Sequence, residues 1–193
     1  DALFPKHDAR GLARAYAPKA HGVWSLHAAG ATGAMHTFAR FSSVAALLGG
    51  AGQANYSAAN ECLDALAAGR REEALASVSV QWGAWAEVGM AARGAAKERA
   101  VAMERAMGLA RIRVAQGLAA LHDACRPTAA ASLVVLPVVW FRFLRGMTVP
   151  SLLRNFASTR VDHPVIRQRL RTSSPDLQGE VSLEEVVEMA ART

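Results

Sequence analysis

The segment FSSVAALLGGAGQANYSAANECLDALA, residues 41–67, carries the clearest fold signal in this chain of 193 residues. Its first three residues end a short aromatic run, TFARFSS at 37–43, which is typical of a β-strand. Three glycines then predict a loop over residues 44–53, and the alanine-rich run at 56–71 has apolar residues at helical spacing. The segment therefore predicts a strand, a loop and a long helix in succession.

Two further β-rich runs lie downstream of this segment. SVSVQW at 77–82 alternates, and LVVLPVV at 133–139 is continuously apolar, as expected of a strand that is buried on both faces. Helical patterns cover residues 8–29, 97–107 and 114–124. The first of them contains Pro18, which breaks or kinks a helix. Strands that alternate with helices predict an α/β fold with a parallel sheet.

Composition excludes several classes of protein. Hydrophobic residues make up 52% of the chain and charged residues 20%, so the chain can bury a core and is not a disordered polymer. The longest uncharged apolar stretch, residues 127–141, has 15 residues, which is shorter than the ~20 that span a bilayer. Cys62 and Cys125 are the only cysteines and form no CxxC pair, so we predict neither a disulfide framework nor a metal site.

The net charge is +6, and arginines are concentrated in residues 142–171, which we call the basic strip. Such a strip can bind phosphates or an acidic protein, but it matches no nucleic-acid recognition module. Near the end of the chain, a capping box of Ser182 and Glu185 predicts a short helix. We therefore predict two parts, a folded α/β part over 1–145 and a linker over 146–193 that ends in this helix.

Four polar residues are expected to share one edge of the sheet: Lys19, Ser43, Tyr56 and Asn60. Ser43 ends a strand and Tyr56 begins a helix, so both lie at the carboxyl ends of the strands, where α/β folds bind ligands. Asn60 lies one helical turn after Tyr56, on the same face. An ammonium group makes a nearby tyrosine a stronger acid, and a serine hydroxyl can hydrogen-bond a carbonyl oxygen as negative charge develops on it. These residue types fit the reduction of a ketone by hydride transfer.

Two carboxylates, Glu61 and Asp64, lie beside these four residues on the same helix. Paired carboxylates can carry out acid–base chemistry. A helix in a soluble fold also presents a charged face to water, and we expect both side chains on that solvated face.

Residues 41–67 resemble the catalytic segment of ketoreductase domains of modular polyketide synthases, within the short-chain dehydrogenase/reductase superfamily. The resemblance extends upstream through YAPKAHGVWSLH at 16–27. Downstream it covers SVSVQWGAWAEVGMA at 77–91 and LVVLPVVWFRFL at 133–144. The lysine precedes the tyrosine, as in the synthases, whereas most other reductases of the superfamily place it four residues after the tyrosine. The resemblance implies a Rossmann-like sheet.

The resemblance also implies a role for each of the four polar residues. Tyr56 would donate a proton to a β-keto group, and Ser43 would orient its carbonyl. Lys19 would tune Tyr56, and Asn60 would complete a proton relay. The expected reaction is reduction of a carrier-bound β-ketoacyl thioester to the β-hydroxyacyl form, in polyketide or fatty-acid biosynthesis.

NADPH is the cofactor that the resemblance implies. Trp82 and Gly83, just after a strand, stand where the family lines the nicotinamide pocket. The acyl carrier is acidic in such systems, so four arginines of the basic strip are its expected docking surface. They are Arg142, Arg145, Arg154 and Arg160.

One departure from the family is large, because the sequence contains no GxGxxG turn to hold the pyrophosphate of a dinucleotide. The chain is therefore expected to be the C-terminal, catalytic half of a ketoreductase, lacking the N-terminal dinucleotide-binding strands and inactive in isolation. The strand at 37–43 would have an open edge, which would pair with the missing half or with another protein chain. Since the chain begins with Asp1 rather than Met, we expect a piece of a longer protein or a processed product.

A second function stays open, because a fold can keep its residues and lose its activity. The chain would then be a non-catalytic structural subunit, or scaffold, derived from a ketoreductase fold within a larger assembly. The cytoplasm is the expected compartment, with an organelle as the alternative if a targeting segment has been removed.

Overall fold

A computed structural model describes residues 3–30, 35–89 and 92–157 of the chain. Within these ranges, three parallel strands form a sheet in the order β1–β2–β3. The strands are β1 (Ala39–Ser43), β2 (Val78–Trp82) and β3 (Ser132–Val135). Helices connect them, which confirms the predicted α/β fold with a partial Rossmann-like parallel sheet. The short helix predicted from Ser182 and Glu185 lies outside the described residues, as does Arg160.

The α-helices of the described ranges are α1 (Ala9–Tyr16), α2 (Gly22–Gly30), α3 (Val44–Leu48), α4 (Ala54–Glu72), α5 (Gly94–Met107), α6 (Val114–Ala124), α7 (Trp140–Phe143) and α8 (Arg154–Ala157). A π-helix of five residues, Ala17–His21, joins α1 directly to α2. Pro18 lies in its first turn and has no backbone N–H, so the hydrogen-bond pattern changes where the sequence predicts a break.

The loop predicted for residues 44–53 is partly wrong, because its first half is the helix α3. Ser43 caps this helix: its Oγ accepts a hydrogen bond of 3.2 Å from the Ala45 N–H. The glycines that suggested a loop all follow Leu48, and Gly49 ends the helix with a φ of 73°, a conformation that favours glycine. The five residues VAALL are free to form a turn and a half of helix before the glycines begin.

The third strand is shorter and less buried than its apolar sequence predicts. It ends at Val135, two residues before Pro137, and the Ala110 N–H donates to the Pro137 carbonyl outside any regular strand. Leu133 and Val134 are only half-buried. In the described part of the chain β3 has a neighbouring strand on one side alone, which leaves it less covered than the central strand β2.

The two faces of the sheet differ in chemistry. One face is apolar, and its core forms around Ile112, which is fully buried, together with Val80 and Trp82. Helix α6 covers this face. The other face is polar and packs against α4. Its buried side chains come from alternating positions of β1 and β2: Arg40, Ser42, Ser79 and Gln81.

Strand β1 lies at an edge of the described sheet, with β2 on one side only. The side chain of Phe41, in the middle of β1, is 52% exposed and contacts the Trp82 ring at 5.5 Å between ring centres. Pairing of this edge with a further strand stays a prediction.

A small apolar cluster follows β3. The ring of Trp140 in α7 stacks on that of Phe156 in α8, with 4.1 Å between ring centres and an angle of 12°. Leu153 is buried in the same cluster against Phe143 and Leu144. Residues after 145 therefore pack on α7 as far as the described residues extend. None of the helices within those residues is long and apolar enough to cross a membrane.

Candidate active site

The start of helix α4 lies beside the carboxyl end of β1, where the sequence places the site. Tyr56 is half-buried in the first turn of α4, and its N–H donates to Asn55 Oδ1 at 2.9 Å. Asn55 Nδ2 donates in turn to the Gly11 carbonyl at 3.1 Å. This side chain therefore holds the start of α4, and with it Tyr56, against α1.

Lys19 reaches the same place from the π-helix. Its Nζ donates a hydrogen bond of 3.2 Å to the carbonyl of Phe41 in β1. The same Nζ lies 5.5 Å from the centre of the Tyr56 ring. The structure thus brings the ammonium near the Tyr56 ring across 37 residues of sequence, and the roles of both groups stay a prediction. Burial lowers the pKa of Lys19, and the charge of Asp64 raises it in part.

Ser43 ends β1, and its hydroxyl oxygen already accepts from the Ala45 N–H. This bond fixes the position of Oγ and leaves the hydroxyl proton available for donation to another group. Because α3 packs against α4, Ser43 lies at the same edge of the sheet as Tyr56.

Asn60 is fully buried one turn after Tyr56. Its Nδ2 donates to the Tyr56 carbonyl at 2.8 Å, while its Oδ1 accepts no hydrogen bond from any described residue. Buried amide oxygens are rarely left without a partner, so this oxygen is suited to hold a water or a hydroxyl group. Asn60 therefore lies under the Tyr56 turn with one acceptor unused.

At the carboxyl end of β2, Trp82 is buried and Gly83 is half-buried. The Trp82 side chain is buried between Phe41 and Trp85, with 5.0 Å between the centres of the two indole rings. The Gly83 N–H donates to the Val135 carbonyl at 2.9 Å, and a Cβ there would lie 2.7 Å from Leu136 Cδ1. Both residues have packing roles, and their contact with a nicotinamide ring stays a prediction.

The groups present fit the reacting end of a nicotinamide cofactor and its ketone. An ammonium, a phenol, a serine hydroxyl and an unused amide oxygen lie at one sheet edge, which is a suitable set for supplying a proton to a carbonyl. A glycine-rich turn for the pyrophosphate is not among the described residues. The residues described therefore fit the nicotinamide end of such a cofactor only.

Asp64 is the residue that sequence reasoning misplaced. Glu61 is exposed, as expected, but Asp64 is only 7% exposed and faces the polar side of the sheet. It accepts hydrogen bonds from Ser42 Oγ at 3.0 Å, Ser79 Oγ at 2.5 Å and Gln81 Nε2 at 2.8 Å. The signal that could have located it is the alternation in β2, where polar residues occupy every second position.

Two arginines, Arg40 of β1 and Arg70 of α4, are also buried, which the sequence did not indicate. They lie on the ring of Phe38, with Cζ 4.6 Å and 5.1 Å from its centre. Arg40 donates to the Leu63 carbonyl and to Ser77 Oγ, and Arg70 contacts His27 Nδ1. Burial and the neighbouring Arg70 lower the pKa of Arg40 to about 10, while Asp64 acts in the opposite direction.

A cavity of about 260 Å³ lies far from these groups, at the amino ends of β1 and β2. Arg71 lines it, and its guanidinium donates to the carbonyls of Ser77, Pro127 and Ala129. This arginine ties α4 to the loop before β3, so we assign the cavity no part in the chemistry.

The arginines of the basic strip are exposed as far as the structure describes them. Arg142, Arg145 and Arg154 are all exposed around α7 and α8, while Arg160 lies outside the described ranges. No cluster of His, Cys, Asp or Glu that could hold a metal ion occurs in the described part of the chain.

Comparisons with known proteins show consistent likenesses. Residues 1–87 match the family model of the KR domain. The chain is 39% identical to the spectinabilin polyketide synthase system protein NorB of Streptomyces orinoci, over 91% of this chain and 8% of that protein. It is 49% identical to phthioceranic/hydroxyphthioceranic acid synthase of Mycobacterium tuberculosis, over 40% of this chain and 4% of that protein. The chain thus spans less than a tenth of these relatives.

Solved structures give the same result. The first ketoreductase of the tylosin PKS is 34% identical with a TM-score of 0.65, over 74% of this chain and 30% of that one. The structure of A-type ketoreductases from a modular polyketide synthase is 32% identical with a TM-score of 0.68, over 74% of this chain and 29% of that one. The described fold is therefore similar to about a third of such a domain.

Proposed function

Since these likenesses support a ketoreductase domain of the short-chain dehydrogenase/reductase type, we propose that this chain carries the proton-donating part of a site that reduces a carrier-bound β-ketoacyl thioester to its β-hydroxyacyl form. The observation that carries the proposal is the approach of Lys19 Nζ to the Tyr56 ring, at 5.5 Å. If the chain were a non-catalytic scaffold, it would not need Lys19 and Tyr56 to lie close together.

Each residue has a defined part in this reaction. NADPH supplies the hydride to the keto carbon when it is bound. Tyr56 donates its hydroxyl proton to the carbonyl oxygen, and the Lys19 ammonium stabilises the phenolate that remains. Ser43 donates its own proton in a hydrogen bond to the same oxygen, since its acceptor side is taken by the Ala45 N–H. Asn60 Oδ1 holds a water that returns a proton toward Tyr56.

We further propose that the pyrophosphate of NADPH is bound by strands that this sequence does not contain. The absence of a GxGxxG turn from the sequence supports this, as does the single neighbour of β1 in the described sheet. Those strands would come from the rest of the polypeptide or from a partner chain, in a multienzyme polyketide synthase in the cytoplasm. Residues 1–145 are the proposed part of the catalytic domain, and residues 146–193 the proposed linker.

A fluorescence titration tests whether the site is assembled. NADPH is titrated into the natively purified assembly that contains this chain, and saturable binding is expected. The double variant Lys19→Ala with Tyr56→Phe should weaken that binding, because both side chains lie at the nicotinamide end. No binding at millimolar NADPH would overturn the proposal in favour of the scaffold.

The exposed arginines of the basic strip are the proposed docking surface for the acidic acyl carrier. We expect the double variant R145E/R154E to bind the carrier about 10-fold more weakly at low salt, because reversing two surface charges turns attraction into repulsion. The loss should shrink at high salt, where surface charges are screened. Isothermal titration with purified carrier domain measures both affinities.

A matched control separates docking from net charge. The variant R10E/R14E makes the same change in total charge on helix α1, where both arginines are exposed. Its affinity for the carrier should stay within about twofold of the wild type, as expected for charges away from an interface. Equal losses in both double variants would contradict docking at the basic strip.

A further inference from the structure

The surface around α7 and α8 combines exposed apolar side chains with positive charge. Three large apolar side chains there are 57%, 47% and 42% exposed, and three arginines beside them are exposed as well. Residues 141–157 contain no acidic residue. We call this surface the α7–α8 patch, and its members are Phe141, Leu152, Met147, Arg142, Arg145 and Arg154.

The patch lies around a cluster that is already closed. Leu153 is buried against Phe143 and Leu144, and Trp140 stacks on Phe156, so the exposed apolar side chains are not needed to complete this core. Large apolar side chains that stay exposed beside charged ones mark a surface of interaction. The partner that such a surface fits is apolar and acidic at the same time.

A stretch with this chemistry occurs in the same chain, at residues 176–189, which we call the acidic segment. It contains five acidic residues and no basic one, and it lies outside the described residues. The capping box noted above predicts a helix here, on which apolar and acidic residues would occupy different sides. The apolar side would hold Leu183, Val186 and Val187, and the acidic side Glu184, Glu185 and Glu188.

The connection between patch and acidic segment is long enough for a contact within one chain. Phe156 stacks on Trp140 with 4.1 Å between ring centres, so the chain leaves the described fold at Ala157, beside the patch. Residues 158–181 then span at most about 80 Å when fully extended. Two groups joined by such a connection meet at an effective concentration on the order of mM, so a weak attraction is enough to bring them together.

We propose that the acidic segment docks on the α7–α8 patch of its own chain, with its apolar side on Phe141 and Leu152 and its carboxylates on Arg145 and Arg154. A free phosphate or a nucleic acid would match the arginines alone and leave the apolar side chains uncovered. The docked segment covers the arginines proposed to bind the acyl carrier, so segment and carrier compete. This competition rests on the proposed function, whereas the docking itself does not.

Zero-length cross-linking tests the contact in the full chain. The variant R145K/R154K keeps both positive charges and adds two amines to the patch. A water-soluble carbodiimide then joins a carboxylate to an amine where the two touch, and mass spectrometry identifies the joined residues. We expect the introduced amines to couple to the carboxylates of the acidic segment several-fold more often than Lys6 and Lys97 do, which are exposed elsewhere. High salt should reduce this coupling, because it screens surface charges.

Two further variants serve as controls. R10K/R14K adds the same two amines on α1, where both arginines are exposed, and its new amines should couple to the acidic segment no more often than Lys6 does. F141S/L152S, combined with R145K/R154K, keeps every charge and removes two exposed apolar side chains, so coupling should fall several-fold. All these positions are exposed, and tryptophan fluorescence checks that each variant folds.

Three results would overturn the proposal. Equal coupling in R145K/R154K and R10K/R14K would mean that the carboxylates meet any surface amine. Unchanged coupling after F141S/L152S would leave long-range attraction between charges as the cause. In a mixture of isotopically labelled and unlabelled chains, cross-links found only between two different chains would assign the patch to a contact between copies.

Carrier binding gives a separate readout of the competition. E184Q/E185Q/E188Q removes competing carboxylates, so the affinity of the chain for purified carrier domain should rise several-fold in isothermal titration, and an unchanged affinity would refute the competition. If the carrier binds no variant, the cross-links still establish the docking, and only the carrier part of the proposed function fails. If the carrier binds and no cross-links form, the docking alone is refuted.

Discussion

Replacing Tyr56 by phenylalanine is expected to slow ketone reduction by about 10²- to 10⁴-fold, the usual contribution of a positioned proton donor. The substitution removes only the hydroxyl, so the ring remains beside Lys19 and the first turn of α4 keeps its contacts through Asn55. The loss should therefore fall on kcat rather than on KM. The rate is measured in the assembly that contains this chain, from the consumption of NADPH with a β-ketoacyl thioester.

The chain offers a matched control, because Tyr16 is its only other tyrosine. Tyr16 lies at the end of α1, and burial raises the pKa of its hydroxyl, which makes it a weaker acid. Tyr16→Phe should leave the rate within about twofold, since it takes no part in proton transfer. An active Tyr56→Phe variant would show that the proton comes from another group.

Replacing Ile112 by alanine is expected to lower the free energy of unfolding by about 3 kcal/mol, a large part of the stability of a domain of this size. Ile112 is fully buried in the apolar core of the sheet, and its backbone pairs with that of Trp85. The shorter side chain would leave a cavity that the sheet and α6 cannot close without strain. Urea unfolding of the chain, followed by tryptophan fluorescence, measures the loss.

Two further substitutions test whether the loss of stability depends on the size and burial of the side chain that is removed. Ile112→Val removes one methylene and should cost about 1 kcal/mol. Leu118→Ala removes a side chain that is 59% exposed on α6, so it should change stability by less than about 0.5 kcal/mol. If Ile112→Ala costs no more than Leu118→Ala, the apolar face of the sheet is not what stabilises the fold.

The elements that the sequence predicted well are those with strong local patterns. The alternation of SVSVQW located β2, and the alanine-rich run located α4 to within two residues at its start. The apolar run at 133–139 marked a strand, but the length of that strand depends on two things. Pro137 is visible in the sequence, whereas the sequence does not show whether another strand lies beside β3. The sequence does not predict helix α3, because three glycines within ten residues favour a loop, whereas all three follow the helix.

The proximity of Lys19 and Tyr56 was expected from a resemblance rather than from spacing, since only tertiary structure joins residues so far apart. Asp64 shows why the rest could not be predicted. A carboxylate on a helix is solvated by default, and its burial depends on donors from two strands that lie elsewhere in the sequence. Arg40 is a similar case. The sequence of β1 alone does not show that the Arg40 guanidinium will be buried against a backbone carbonyl of α4 and the ring of Phe38.

The π-helix at Ala17–His21 has a consequence for how the chain tolerates changes in length. A π-helix holds one residue more per hydrogen-bonded turn than an α-helix, so this turn accommodates one residue more between α1 and α2 than α geometry would. Deleting one residue there would let the segment relax to a continuous α-helix, in which the two flanking helices keep nearly the same faces toward α4. The residues within the turn would change direction, so the deletion should keep the contact between Asn55 and Gly11 while moving Lys19 away from the Phe41 carbonyl. Single-residue deletions in this turn should therefore disturb the site more than the packing of the fold.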